Sequence, residues 1–207
     1  MPANGQNRLM SLRYALLAVL TAQPMTGYDL ARTFHASVGH VWNAPNSQIY
    51  PELHRMEHDE LIAGEDVTWG SRGTKRRYSI TDAGIGAFRA WMTQPLDYAP
   101  ERDPAHLKAA YFEWTDADSA REQLRRHAEL YRERRGQWMG QLALVRDREH
   151  PLVRQRLEIF DAADHDRIVA FKVFAYEGLV AQADQEIAWA ERGLVLIDSL
   201  ADHQRSV

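Results

Sequence analysis

The stretch SQIYPELHRMEHDELIAGEDVTWGSRGTKRRYSITDAG, residues 47–84, holds three elements in a telling order. Ile49, Leu53, Met56 and Leu61 recur at helical spacing, and only Glu57 breaks the stripe, which predicts a helix over about 48–62. Asn46 or Ser47 is the expected N-cap, and Pro51 falls in the first turn, where a missing N–H costs little. Gly64 is the expected end. Residues 65–69 and 75–80 then alternate like two strands around the turn Gly-Ser-Arg-Gly-Thr at 70–74. Thr81 caps a helix over about 82–94 that is predicted to bury Ala83, Ala87, Phe88 and Trp91, and Pro95 closes it.

Working outward, residues 1–10 are polar and expected to be mobile. Ser11 is the expected cap of a helix reaching about Thr21, with Leu12, Ala15, Leu16, Val19 and Leu20 on one face. Gln23, Pro24 and Met25 stop it. Thr26 and Asp29 form a capping-box-like pair that opens a second helix, about 27–39, with Leu30, Phe34 and Val38 inward and Tyr28 and Ala31 beside them. Three prolines between 95 and 104 mark a boundary, so 1–95 and 96–207 are read as two domains. Beyond it the pattern is helical throughout. A short helix covers about 104–113, a long one runs from Asp116 or Asp118 to about Arg148, and a further stretch continues past Pro151 to about Ala201.

The 207 residues are 45% hydrophobic and 26% charged, an ordinary globular balance that supports a buried core. There is no cysteine, which excludes disulfide scaffolds, thiolate metal sites and cysteine nucleophiles and suits a reducing cytoplasm, the expected location. No apolar run reaches eighteen residues, so no membrane span is expected. Net charge is −4, but its distribution matters more than its sum. Through residue 95 nine basic residues face eight acidic ones, and four of those nine lie between Arg72 and Arg77. The first part is therefore +1 and the remainder −5.

Three helices followed by a basic hairpin read as a helix-turn-helix with a wing, a fold that enters a DNA major groove with its third helix. The fold class expected is mainly α, an N-terminal winged helix-turn-helix with a two-stranded wing plus an all-helical C-terminal domain. At the exposed start of the third helix, Asn46, Ser47, Gln48 and Tyr50 carry amide and hydroxyl groups suited to base edges and phosphate oxygens. One turn on, His54 and Arg55 are placed to reach the backbone. In the wing, Arg72, Lys75, Arg76 and Arg77 are expected to neutralise phosphates, although strand alternation turns Arg76 away from Lys75 and Arg77. Competing readings stand beside these. Tyr50 and Pro51 also suit plain helix-start packing, and a Lys-Arg-Arg run also suits a solvated surface. His54 and His58 lie four apart on one helix, but no third ligand is evident, so no metal is expected. Asp161, Asp164, His165 and Asp166 read as a solvated face, without the nucleophile or phosphate loop of an enzyme. No cofactor is expected.

These residues also carry a family resemblance. Leu-Arg-Tyr-Ala-Leu-Leu at 12–17, Met-Thr-Gly-Tyr-Asp-Leu at 25–30, Ser-Gln-Ile-Tyr-Pro-Glu-Leu-His-Arg-Met-Glu at 47–57, the Leu61-Ile62 pair and Lys-Arg-Arg-Tyr-Ser-Ile-Thr-Asp-Ala-Gly at 75–84 resemble the PadR family of transcriptional regulators over about 11–95. Gly178 and Glu-Ile-Ala-Trp at 186–189 resemble, more loosely, its long C-terminal dimerisation helix. Two positions depart from the pattern: Glu60 stands where a glycine is usual, and Gly73 where a proline is common. The resemblance implies a non-enzymatic homodimer, most often a repressor, on a near-palindromic double-stranded DNA site. It also implies a larger C-terminal domain of the branch that includes phenolic-acid-responsive members. Phe171, Phe174, Gly178, Trp189 and Ile197 are the expected dimerisation residues, and a small aromatic effector is the expected further partner. The alternative reading is a winged helix used for protein contacts.

Overall fold

Helix α1 (Ala3–Leu20) begins eight residues before Ser11, the expected cap. It opens the first of two compact units in a computed structural model that describes residues 3–37, 44–69, 73–96 and 102–205. The first unit comprises Met1–Asp97 with Arg154–Asp161, and the second Tyr98–Val153 with Ala162–Val207. The boundary near 95 was drawn from the prolines; the return of 154–161 to the first unit has no local signal in the chain.

In the first unit, α1 is followed by β1 (Met25–Thr26), α2 (Gly27–Ala36), α3 (Asn46–His58), β2 (Ile62–Trp69), β3 (Gly73–Ile80) and α4 (Asp82–Thr93). One core joins Leu12, Leu16, Leu17 and Val19 of α1 to Leu30 and Phe34 of α2 and to Ile49, Leu53 and Met56 of α3. Each such side chain contributes about 1.5–3 kcal/mol by leaving water, so this apolar knot fixes how α3 sits on its neighbours. Thr26 opens α2 as expected: its hydroxyl accepts from the Asp29 amide at 3.2 Å and donates to the Asp29 carboxylate at 2.7 Å.

The two-stranded wing is longer than its alternation predicts, and the sheet that carries it gains a third, short strand. β2 and β3 pair antiparallel over eight residues, Ile62 opposite Ile80 through Trp69 opposite Gly73. β1 adds Met25 and Thr26 to the other edge of β3, opposite Tyr78 and Arg77, giving the order β1-β3-β2. As sequence, Met25 shows only a stop between helices, because two residues are too few to show a period.

The end of α3 differs too. It stops at His58, well before Gly64, and Glu60 then turns the chain with a left-handed φ of 58°. Glycine adopts that conformation without strain, which a Glu does not. The Thr81 hydroxyl accepts from the Gly84 amide at 3.0 Å and donates to the Glu60 carbonyl at 2.7 Å. Gly84 is pressed so tightly on the Leu61 carbonyl that a Cβ there would fall on its oxygen. Of α4, only Gly84 is fully buried: Ala83 faces solvent, Ala87 and Phe88 are half-buried, and Trp91 stacks on Tyr14 at 4.8 Å. The helix is anchored through a glycine and an aromatic pair rather than an alanine stripe.

Helix α7 (Pro151–Ile159) supplies the returning segment. Arg156 donates to the Ala18 carbonyl at 2.9 Å and to the Thr21 hydroxyl, capping the carbonyl end of α1.

The second unit holds α5 (Pro104–Ala109), a single 3₁₀ turn at Phe112–Trp114, α6 (Ala117–Arg146) and α8 (Ala162–Arg205). Asp103 and Asp116 cap α5 and α6 through their carboxylates. The last helical stretch, expected to continue past Pro151, is divided before Ala162. α6 packs antiparallel on α8, laced by ion pairs from Arg121–Asp198 at one end to Arg146–Glu177 at the other. Leu124, Ala128 and Ala190 form its core, with Phe112, Trp189, Leu194 and Ile197 packed around them. Among the described residues, no helix is long and apolar enough to cross a membrane.

Candidate nucleic-acid interface

The N-cap of α3 is Pro45, in extended conformation, with its carbonyl accepting from the amides of Gln48 and Ile49. Proline has no side-chain acceptor, so neither Asn46 nor Ser47 caps this helix; both are its first residues. Asn46 Oδ1 instead lies 3.0 Å from His35 Nε2, tying the start of α3 to the last turn of α2. Ser47 and Gln48 are exposed, while Ile49 next to them is wholly buried. Tyr50 is 38% exposed, its ring edge lying over Gly27. The buried side of the first turn is therefore apolar and its free side polar.

Glu52 lies one turn inside, with 1% exposure, and is a buried carboxylate with two guanidinium partners. Arg13 reaches one oxygen at 2.8 Å and Arg55 the other at 2.8 Å. Arg13 also pairs with Asp59 at 2.8 Å. A buried charge needs such partners, and this cluster joins α1 to the middle of α3 and to Asp59 just past its end. Arg55, expected to reach DNA, is thus committed to Glu52. His54 beside it is exposed.

In the wing, Arg72 lies outside the described residues. Alternation holds for the rest. Lys75 sits with its ammonium 5.8 Å from the Tyr28 ring centre, and Arg77 reaches across to Glu65 with Nε at 2.7 Å. Arg76 turns the other way. Its guanidinium grips the Glu57 carboxylate of α3, with Nε at 3.1 and 3.2 Å from the two oxygens, and its Nη1 reaches Asp66 at 3.1 Å. Arg76 is therefore engaged within the domain, against the expectation that it meets phosphate. Hydrogen bonding from Arg76 holds the Glu57 carboxyl below its ordinary value, and burial pushes the Tyr78 phenol up.

Tyr28 is the residue that pattern reading placed wrongly. It is 60% exposed, with Arg32 5.9 Å and Lys75 5.8 Å from its ring. Two positions from buried Leu30, it lies about 200° round the helix, and that spacing was the available signal. Tyr28 thus brings a cation of α2 and one of β3 to a single exposed ring.

The expected dimerisation residues divide into two sets. Phe171 and Phe174 are 69% and 75% exposed, and Gly178 is exposed beside them on α8. Trp189 stacks on His106 at 4.0 Å and meets His127 edge-on at 5.1 Å; Ile197 packs on Leu124 and its neighbours. Those two pack within this helical unit, a role the same apolar stripe suits equally well. Nearby in this unit, a hollow of about 310 Å³ is lined by Leu107, Lys108, Tyr111, Phe112, Trp114 and Gln123.

Residues 16–90 match the family model described as the transcriptional regulator PadR-like family. A probable transcriptional regulator from Mycobacterium tuberculosis is 37% identical over 87 residues, 42% of this chain and 46% of that protein. The negative transcriptional regulator PadR of Bacillus subtilis is 35% identical over 105 residues, 49% of this chain and 56% of that protein. The matches thus span about half the length of these relatives. The crystal structure of Bacillus subtilis PadR in complex with operator DNA aligns with a TM-score of 0.71 at 20% identity, over 90% of this chain and 97% of that one. Its complex with p-coumaric acid aligns with a TM-score of 0.67 at 21% identity, over 92% and 97%. At such identities the structures speak for the fold, the mainly helical winged helix-turn-helix with a helical C-terminal region. With the motifs and the fold in agreement, residues 16–90 form a domain of the transcriptional regulator PadR-like family.

Proposed function

We propose that this chain is a DNA-binding transcriptional regulator, a repressor that holds a near-palindromic operator as a homodimer and releases it to a small aromatic effector. The observation that carries the reading is the exposed start of α3, where Ser47, Gln48 and Tyr50 are open to solvent while Ile49 between them is buried. Amide and hydroxyl groups read base edges, and the wing and α2 cations neutralise phosphates. Residues 1–95 act as the reader and 96–207 as the dimerisation and effector domain. Phe171 and Phe174 of α8 meet their counterparts in a second copy, setting two recognition helices about 34 Å apart for successive major grooves. The effector reading draws on the hollow at Tyr111 and Trp114, whose aromatic walls and Lys108 ammonium suit a flat molecule with one anionic group. It draws also on Bacillus subtilis PadR, which was solved with p-coumaric acid.

Capture of fragments from a random duplex pool, at rising salt, tests the core claim. The expected result is enrichment of a near-palindromic sequence. In the variant Gln48→Ala, affinity for that sequence falls by about tenfold while binding to mixed DNA holds, since a bidentate base contact is worth ~1–3 kcal/mol of discrimination. Equal weakening on both duplexes removes Gln48 from direct readout. No binding at low salt turns the reading to a winged helix that contacts proteins.

A further inference from the structure

We infer that Arg76 is a positioning residue rather than a phosphate contact: through Glu57 it sets the angle between the wing and the recognition helix, and so helps decide which DNA sequence the protein selects. This rests on the DNA-binding reading above. Four features of the structure support it.

Arg76 is on β3 and Glu57 on α3, nineteen residues apart, so the pair joins two elements that local structure does not join. The contact is a fork: Nε and Nη2 both meet the Glu57 carboxylate, while Nη1 takes Asp66 on the neighbouring strand. Only a planar guanidinium spans two carboxylates in this way. Gly64 on β2 completes the seat. A Cβ there would fall on Glu57 Oε1 and come within 2.5 Å of Arg76 Nε. Finally, the strand register turns Arg76 away from the face that carries Lys75 towards Tyr28. The chain thus keeps glycine at 64 and two acids at 57 and 66 around one arginine. A residue whose task was to meet phosphate would not be neutralised twice over inside its own domain.

The consequence is a division of labour within Lys75-Arg76-Arg77. Lys75 and Arg77 lie on the other face, where Arg77 holds a single exposed carboxylate, Glu65, that phosphate can displace, and both add charge to the DNA-facing side. Arg76 adds no counterion release, but it holds the wing at the distance from Gln48 and Tyr50 at which base and phosphate contacts form together.

The test uses the full chain, a duplex of about three helical turns enriched by the wild-type protein, and mixed-sequence genomic DNA. Affinity is measured over a salt series for Arg76→Gln, Arg76→Lys, Glu57→Gln, the Arg76→Gln/Glu57→Gln pair and Arg77→Gln. Positioning predicts that Arg76→Gln loses about tenfold on the enriched duplex, little on mixed DNA, and leaves the salt slope unchanged. Arg76→Lys fares no better, because an ammonium cannot fork, and Glu57→Gln matches it. The double variant is no weaker than either single change. Arg77→Gln instead weakens both duplexes and lowers the slope by about 0.9. Rescue by Arg76→Lys with a slope that falls in Arg76→Gln makes Arg76 a phosphate contact and overturns the proposal. So does additivity of the two single changes, or a loss in thermal stability with the ratio of specific to mixed-DNA binding unmoved. All three failures occur with wild-type binding intact. A wild-type chain that enriches no duplex fails the DNA-binding reading first.

Discussion

Glu60 is a residue whose backbone conformation carries a cost. Its φ of 58° is a conformation in which a Cβ crowds the following carbonyl. Among the described residues no side-chain hydrogen bond or ion pair of Glu60 offsets the strain, and its carbonyl, which accepts from Thr81, does so whatever the side chain. Glu60→Gly is therefore expected to stabilise the protein by about 1 kcal/mol, raising Tm by several degrees, as read by thermal unfolding. An unchanged or lower Tm means that the turn is not strained in solution. Buried Glu52 makes the opposite case. Gln in its place keeps the shape but leaves Arg13 and Arg55 facing a neutral amide, so Glu52→Gln is expected to cost about 3 kcal/mol in chemical denaturation. A cost near zero shows that the cluster is dispensable.

At the scale of elements, the wing depends on ionised carboxylates. Arg76 depresses the folded-state value of Glu57, so the bond's contribution is complete above the ordinary carboxylate range. It is lost as pH falls through the lowered folded value. The N-caps Asp103 and Asp116 are shifted the same way, chiefly by the amide of His106 and the hydroxyl of Ser119. Stability is thus expected to hold from pH 7 to about 5 and to fall below about 4.5. Glu57→Gln should flatten that decline without removing it, which thermal unfolding between pH 3 and 7 measures. An identical decline in the variant would take Glu57 out of the acid response. Much of this architecture is legible in the chain. The spacing of Leu30 and Phe34, and of Ile49, Leu53 and Met56, marks α2 and α3, because helical period is a property of near neighbours. The cap at Thr81 is local for the same reason. β1 was missed because its two residues become a strand only when β3 arrives beside them.

For the whole molecule, the exposed Phe171 and Phe174 set the strongest expectation. Two large aromatics on one helix face are worth hiding, and a second copy offers a matching face. Phe174→Glu is expected to weaken self-association at least about 30-fold, some 2 kcal/mol, while leaving the helical signal and Tm of the subunit nearly unchanged. Sedimentation across a concentration series reads this; unaltered self-association would put the interface elsewhere.

The sequence by itself determined what depends on short separations along the chain: the helices, the hairpin, the cap at Thr26 and the polar first turn of α3. Only the tertiary structure decided which charges are committed and which remain available. Arg76 and Glu57 lie nineteen residues apart, and Arg13 and Glu52 thirty-nine. No periodicity carries such pairings, since a side chain of several rotatable bonds takes whichever partner the packed core brings within reach. The same holds for Trp189 and Ile197: their apolar stripe calls for a neighbour, and α6 of the same chain packs against it.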